Sequence, residues 1–429
     1  MNKKILLILI LGLVFFSAHL GAEILIPMDM AQTDHLKAYG ITYKALENGL
    51  NCKWLLNYRG GSFLIPNSPQ IKELCKIRGV YYKEVSPQEV IQINQKIENA
   101  NMDIVYLEKA PEIAIYTLPE KMSDKTKGFA GEPWDDAVTL ALTYADIPYD
   151  KVYDREVLSG KLEKYDWLHL HHEDFTGQYG KFYAAFRNTQ WYQAIKHFEE
   201  NLANQLGFEK VWQLKHAVTE MIAEYVRNGG FIFAMCAATD TYDIALAAHG
   251  VDICKSPFDG DPMDPKAEEK LDFERTFAFK DFSLVKNPFE YEFSSIDASN
   301  YAQIRGPEAD YFTLFEFSAK YDPVPTMLTQ CHVNVVNGFL GQTTSYKKKF
   351  LKESVIILGE VEGAEEVKYI HGNIGRGTFT FLGGHDPEDY QHKIGDPPTR
   401  LELYKNSPGY RLILNNILFP AAKKKKLKT

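Results

Sequence analysis

The sequence predicts an α/β protein: a doubly wound, mostly parallel sheet with a small N-terminal α/β unit and a long insertion. Three observations predict it. Short apolar runs of strand length alternate with amphipathic helical stretches over most of the chain, the pattern of a parallel sheet covered on both faces. A composition of 45% hydrophobic and 24% charged residues is that of a globular chain with a real core. The 429 residues are enough for two or three domains of about 150 residues each.

Residues 1–22 stand apart from that pattern. Lys3 and Lys4 precede an unbroken apolar run from Ile5 to Phe16, and Ser17 to Ala22 is rich in small residues. The 12 residues of the run reach only about 18 Å as a helix, short of a ~30 Å hydrocarbon core. A cleaved signal peptide is therefore expected, and with it an exported chain, periplasmic or extracellular, that has no transmembrane segment after cleavage.

Residues 23–105 read as the small α/β domain. Glu23 to Met28 is a buried strand, and Thr33 is placed to cap a helix with apolar positions Leu36, Tyr39, Tyr43 and Leu46. Gly49 stops it, and Cys52 to Leu56 completes a β-α-β unit. A helix from Gln70 to Arg78 and a short strand from Val80 to Val85 extend it.

Residues 106–422 read as the main domain. Its elements are a strand at Glu112–Thr117, a helix at Asp135–Tyr144, and strands at Lys151–Tyr153 and Trp167–His171. Val211, Leu214, Val218, Met221, Ile222 and Tyr225 give the stretch 209–227 one apolar helical face. Gly229-Gly230 ends it, the apolar strand Phe231–Met235 follows, and a helix runs from about Thr241 to Ala248. Residues 251–345, rich in Asp, Phe and Pro, break the rhythm as an insertion. Regularity returns with a strand at Ser354–Leu358 and a hairpin, Val367–His371 and Thr378–Leu382 about the glycine-rich turn Gly372–Gly377. Residues 423–429 form a lysine-rich tail.

The formal net charge is −9; it becomes −11 without the two leader lysines and −16 without the five lysines of the tail as well. So acidic a body disfavours nucleic acid as a partner. Five cysteines, none spaced as Cys-x-x-Cys, exclude a disulfide scaffold.

Two segments carry candidate chemistry. In Phe231 to Asp240 a hydrophobic strand delivers Cys236 into a tight turn between small residues, and a helix begins at once. That is the layout of a nucleophile elbow, in which the helix N-terminus favours a thiolate. In Gly383-Gly384-His385-Asp386-Pro387-Glu388 a strand end delivers a histidine with two acids close behind. His385 can take a thiol proton, and Asp386 or Glu388 can orient its ring. A third cluster, His169-Leu170-His171-His172-Glu173-Asp174, ends a strand whose alternation puts His169 and His171 on one face, as candidate ligands of a divalent metal, and His172 and Asp174 on the other. Asp259, Asp261 and Asp264 lack calcium-loop spacing and read as a solvated turn. Asp29, Asp34, His35 and Arg59-Gly60-Gly61 sit where a nucleotide crevice would lie, without its glycine fingerprint. No cofactor is assigned.

The cysteine elbow followed late in the chain by His-x-x-Glu resembles the class I glutamine amidotransferase-like superfamily, which has a flavodoxin-like sheet. There the motifs are Gly-x-Cys-x-Gly and His-x-Glu; here they are Ala234-Met235-Cys236-Ala237-Ala238, and Glu388 three residues after His385. The chain is more similar to the ThuA-like (trehalose utilisation) branch. It shares Gly229-Gly230-Phe231, Ala237-Ala238-Thr239-Asp240-Thr241, Gly375-Arg376-Gly377-Thr378-Phe379 and Gly384-His385-Asp386-Pro387-Glu388, although a histidine commonly stands there in place of Cys236. The resemblance covers about residues 110–420.

It implies a hydrolase or transferase acting on small amides or sugar derivatives, with Cys236 as nucleophile, His385 as base and Glu388 or Asp386 as the orienting acid. One alternative is a ThuA-like protein that binds or processes carbohydrate, metal-assisted through the histidine cluster, with Cys236 only lining the pocket. Another is a non-catalytic binding protein. A homo-oligomer is left open. Asparagine synthetase activity is disfavoured: Glu23, not cysteine, would begin the mature chain, and no Ser-Gly-Gly-x-Asp-Ser loop occurs.

Overall fold

The computed structural model describes residues 22–119, 135–322 and 329–422. Residues 1–21 of the expected signal peptide, residues 120–134, residues 323–328 of the insertion and the tail 423–429 lie outside the described residues. No described helix is long and apolar enough to cross a membrane.

The N-terminal strands are β1 (Glu23–Ile26), β2 (Cys52–Leu56), β3 (Ser62–Pro66), β4 (Lys83–Val85) and β5 (Asp103–Leu107), in the order β4-β1-β3-β2-β5. Every neighbouring pair is antiparallel. The expected β-α-β unit is therefore split: β1 and β2 run the same way, but β3 lies between them. Three helices accompany these strands: α1 (His35–Glu47), α2 (Pro69–Arg78) and α3 (Pro87–Glu98). The N-cap of α1 is Asp34, which accepts the Lys37 N–H, and not Thr33, whose hydroxyl donates to the Gly79 carbonyl.

The second sheet contains β6 (Ile113–Tyr116), β7 (Asp150–Val152), β8 (Trp167–Leu170), β9 (Phe231–Met235), β10 (Tyr311–Leu314), β11 (Val335–Asn337), β12 (Tyr346–Lys347), β13 (Ile356–Glu360), β14 (Glu366–Ile374) and β15 (Gly377–Leu382). Its order is β11-β10-β13-β14-β15-β9-β8-β6-β7, with β12 beside β14. The run β15-β9-β8-β6-β7 is parallel, and the other half is antiparallel. The chain is thus a mixed α/β protein, with the antiparallel half built by the hairpin, by β10 and β11 from the insertion, and by β12 and β13, which follow it. The hairpin is tighter than expected: β14 and β15 pair up to Ile374–Gly377, which leaves only Gly375 and Arg376 in the turn.

The remaining helices are α4 (Ala137–Ala145), α5 (Asp154–Leu158), α6 (Gln190–Gln205), α7 (Val211–Arg227), α8 (Ala238–Ala247), α9 (Ser299–Arg305) and α10 (Pro408–Leu418). Strand alternation divides them between two faces. Trp167, Phe231, Phe233 and Leu382 pack with α4 and α10, whereas Leu168, Ile232, Ala234 and Phe381 pack with α7 and α8. Helix α1 joins the two sheets. It lies between its own sheet and the pair α4 and α10, so close that a Cβ at Gly40 would run into the Ala145 carbonyl oxygen. The fully buried Arg411 of α10 ties this seam, donating to Tyr39 Oη and to the Met28 and Gly60 carbonyls.

Candidate functional site

The carboxyl ends of β8, β9 and β15 lie side by side and bring the predicted residues together. Cys236 follows β9 directly and has φ +50°, a left-handed conformation that costs a non-glycine residue about 1–2 kcal/mol. Neighbouring strand ends hold it there. Its N–H donates to the Gly384 carbonyl at 3.2 Å, and the Ala238 N–H donates to the His171 carbonyl at 3.0 Å. Gly384 has φ +92° and lies against Phe339, so only glycine serves at the point that delivers His385.

The thiol does not meet the histidine expected of it. The hydrogen bond at Cys236 Sγ comes from the Gln342 N–H at 3.2 Å. Gln342 is itself fixed, its Nε2 donating to the Gly180 and Tyr291 carbonyls at 2.6 and 3.1 Å. Burial pushes the Cys236 thiol up to about 11, an effect the neighbouring backbone N–H groups only moderate.

His385 is 7% exposed, and neither of its ring nitrogens has a hydrogen-bond partner among the described residues. Its ring stacks on His392 at 4.6 Å and meets His171 edge-on at 4.6 Å. Burial, then His171 and His392, hold His385 well below the usual imidazole range. The acids assigned to orient it are engaged elsewhere, which corrects that expectation. Asp386 accepts from the Glu388 N–H at 2.9 Å and the Thr399 hydroxyl at 2.7 Å, and Glu388 interacts with Ser407. Both acids close the loop that follows the strand.

The histidine cluster is also arranged differently. His169 is occupied at both nitrogens, by the Phe233 carbonyl (2.9 Å) and by His171 Nδ1 (3.1 Å), so it is not a free ligand. His171 and His172 belong together, not on opposite faces, because β8 ends at Leu170 and alternation stops with it. Their ligand nitrogens and one of His385 lie within 4.8 Å of one another. Burial and the neighbouring His385 push His172 down to about 3.

Four residues that sequence reasoning passed over complete the surroundings: Asp135, Asp136, Asp389 and His392. Asp136 caps α4 and places Oδ1 3.5 Å from both His169 and His171; burial would raise it, but these two rings bring it well below the usual carboxylate range. Asp135 and Asp389 grip His392 at 2.9 and 3.1 Å and, against burial, raise it to about 9. The Asp135-Asp136 pair at a helix start was the available signal.

Cys236, His172, His385 and His392 line one cavity of about 410 Å³, closed from the insertion side by Tyr291, Leu340 and Gln342. The other candidates fall outside it. Asp259 and Asp261 are bridged by Lys210, and Arg59 is paired with Asp29 at 2.7 Å.

No family model matches the chain, and no curated protein matches it. Solved structures with some likeness include two cytoplasmic proteins of Salmonella typhimurium, each 12% identical and covering 73% of this chain and 100% of the other, with TM-scores of 0.34 and 0.35. A β-galactosidase of Bacillus circulans sp. alkalophilus is 10% identical over 66% of this chain and 29% of its own, with a TM-score of 0.27. Likeness at this level carries neither fold nor activity to the chain. The two Salmonella proteins are described as cytoplasmic, against the periplasmic or extracellular location expected from residues 1–22. The exported reading is withdrawn, and no location replaces it.

Proposed function

We propose that the chain is an enzyme of amidotransferase-like, ThuA-like fold that processes a small amide or sugar derivative at this cavity. Imidazole chemistry centred on His385, His171 and His172 does the work, and Cys236 forms a wall of the pocket. The parallel strands run β7-β6-β8-β9-β15, which in chain order is second, first, third, fourth, fifth. This is the flavodoxin-like order, whose ligands sit outside the carboxyl ends of the strands. One observation carries the choice of chemistry: the buried ring of His385, without a hydrogen-bond partner among the described residues, lines a cavity whose thiol is bonded to a backbone N–H instead.

The left-handed backbone at Cys236 favours a second reading, the cysteine nucleophile, since strain of this kind collects at functional residues. Chromogenic p-nitrophenyl glycosides and p-nitroanilides separate the two. For any substrate turned over, His385→Ala lowers kcat/KM by at least about 100-fold, the usual weight of a general acid or base, while Cys236→Ala stays within about threefold. The reverse pattern establishes the cysteine mechanism, and turnover indifferent to both substitutions removes the cavity as the active site.

A further inference from the structure

We infer that His171, His172 and His385 are the three protein ligands of a divalent transition-metal ion of the zinc class, bound at the carboxyl ends of β8 and β15 beside the Cys236 cavity. The inference goes beyond the reading above by stating what the imidazoles hold, and it stands whichever group is the nucleophile.

The protons can be placed from the hydrogen bonds. The Phe233 carbonyl only accepts, so His169 donates to it from Nδ1 at 2.9 Å. With Nδ1 as the donor, the His169 tautomer accepts at Nε2, and the proton of that 3.1 Å contact belongs to His171 Nδ1. His171 Nε2 is left as a bare lone pair, fully buried and without a hydrogen-bond partner among the described residues. A buried polar atom left unsatisfied is costly and calls for an explanation. His385 adds a second such ring at the same point, and His172 brings a third nitrogen within 4.8 Å of both. One proton would satisfy one of the two unpartnered rings; a cation satisfies both, with His172 in reach as a third ligand.

The surroundings fit a dication in two ways. Metal-bound histidines usually donate their other ring N–H to an acceptor that fixes ring and tautomer. His171 does so, toward His169 Nε2 and toward Asp136 Oδ1 at 3.5 Å. Carboxylates stand around the cluster as well: Asp136 beside His171, Glu173 accepting the His171 N–H at 2.8 Å, and Asp135 and Asp389 on the His392 ring that stacks against His385. Neutral imidazoles select zinc and its neighbours over magnesium or calcium. Zn–N bonds of about 2.0–2.1 Å imply N···N separations of roughly 3.3 Å in a tetrahedron, so the rings would close by at most about 1.5 Å. Three protein ligands leave a position for water or substrate, the pattern of catalytic zinc sites, and the cavity lined by His172 and His385 supplies room for it.

The other clusters lack this character. In the group of Asp252, Asp259 and Asp261 the last two already hold the Lys210 ammonium, His392 is engaged by Asp135 and Asp389, and in the group of Asp136, His169 and His171 both nitrogens of His169 are occupied.

The test uses the full chain, stripped with chelator and titrated with Co²⁺ alone and then with Zn²⁺. One ion per chain is expected, with a visible Co²⁺ spectrum of nitrogen-type tetrahedral or five-coordinate character that Zn²⁺ abolishes, and with a raised Tm. His385→Ala and His171→Ala each weaken binding by at least 100-fold. His169→Ala weakens it by about 10–100-fold, as loss of an outer partner does. Asp259→Asn leaves affinity unchanged. Should His171→Ala fail to fold, His385→Asn, which keeps a polar side chain at the strand end, carries the same expectation. Substoichiometric binding by the wild type, or binding that survives both His385 substitutions, overturns the inference. Metal binding is read without substrate, so its failure and a failure of the enzyme reading are told apart.

Discussion

Alkylation of Cys236 is the sharpest probe of which group does the chemistry. The perturbation is iodoacetamide on the native chain, followed residue by residue by peptide mass spectrometry, with the unfolded chain as reference. A free thiol with a pKa of about 8.5 is roughly one-quarter thiolate at pH 8. With the Cys236 thiol raised to about 11, only about one molecule in a thousand is ionised at that pH, a deficit of ~200-fold. A more basic thiolate is intrinsically more nucleophilic, by roughly tenfold over this interval. About 20-fold slower labelling therefore remains from ionisation alone. Burial adds to it, because Cys236 is 3% exposed and its Sγ is bonded to Gln342 N–H. The rate should climb with pH to beyond pH 10 without levelling off, and His385→Ala should leave it unchanged. Labelling as fast as the unfolded reference, or a plateau near pH 6–7 abolished by His385→Ala, would refute the imidazole-centred reading and reinstate the thiolate–imidazole pair.

Two further outcomes follow from the geometry. Lys215 and Asp154 form a buried pair at 3.0 Å, their side chains 2% and 0% exposed, and Glu199, 3.4 Å from Lys215, joins Tyr116 and Tyr153 in the network. Lys215→Met should cost about 3–5 kcal/mol by stranding the carboxylate, read as a fall in the denaturant midpoint; a loss below about 1 kcal/mol would mean that the pair is not formed. His392 is raised to about 9 by Asp135 and Asp389, above an unfolded value of about 6.5. A raised histidine stabilises the fold fully below the unfolded pKa and loses that contribution as pH rises through the folded one. Tm should therefore decline between about pH 6.5 and 9, and less steeply in Asp135→Asn. Identical pH profiles would show that the ion pair does not act on stability.

Much of the framework was legible because local signals and tertiary context agree there. The strand Phe231–Met235 is as expected, and the apolar stripe of 209–227 becomes α7. The reading faltered where side chains from distant segments meet. Gln342, 106 residues beyond Cys236, reaches the thiol from a loop without periodicity. His172 was placed opposite His171 by an alternation rule that holds only inside a strand. Asp386 and Glu388 have the composition of an orienting dyad but serve the loop, as short acidic side chains after glycine often do. Helix α10 was missed although it carries a legible start, Ser407 capping and Pro408 in the first turn.

The seam at α1 bears on how the molecule comes apart. This helix is buried along nearly its whole length, between the first sheet on one side and α4 and α10 on the other. Cutting the chain near residue 110 would lay bare two apolar surfaces and strip Arg411 of its carbonyl acceptors. Neither piece would then be expected to survive alone in solution. The two sheets should melt in one cooperative transition, and limited proteolysis should find no cleavable joint between them. Residues 23–107 are in this sense an inseparable buttress of the site they never touch.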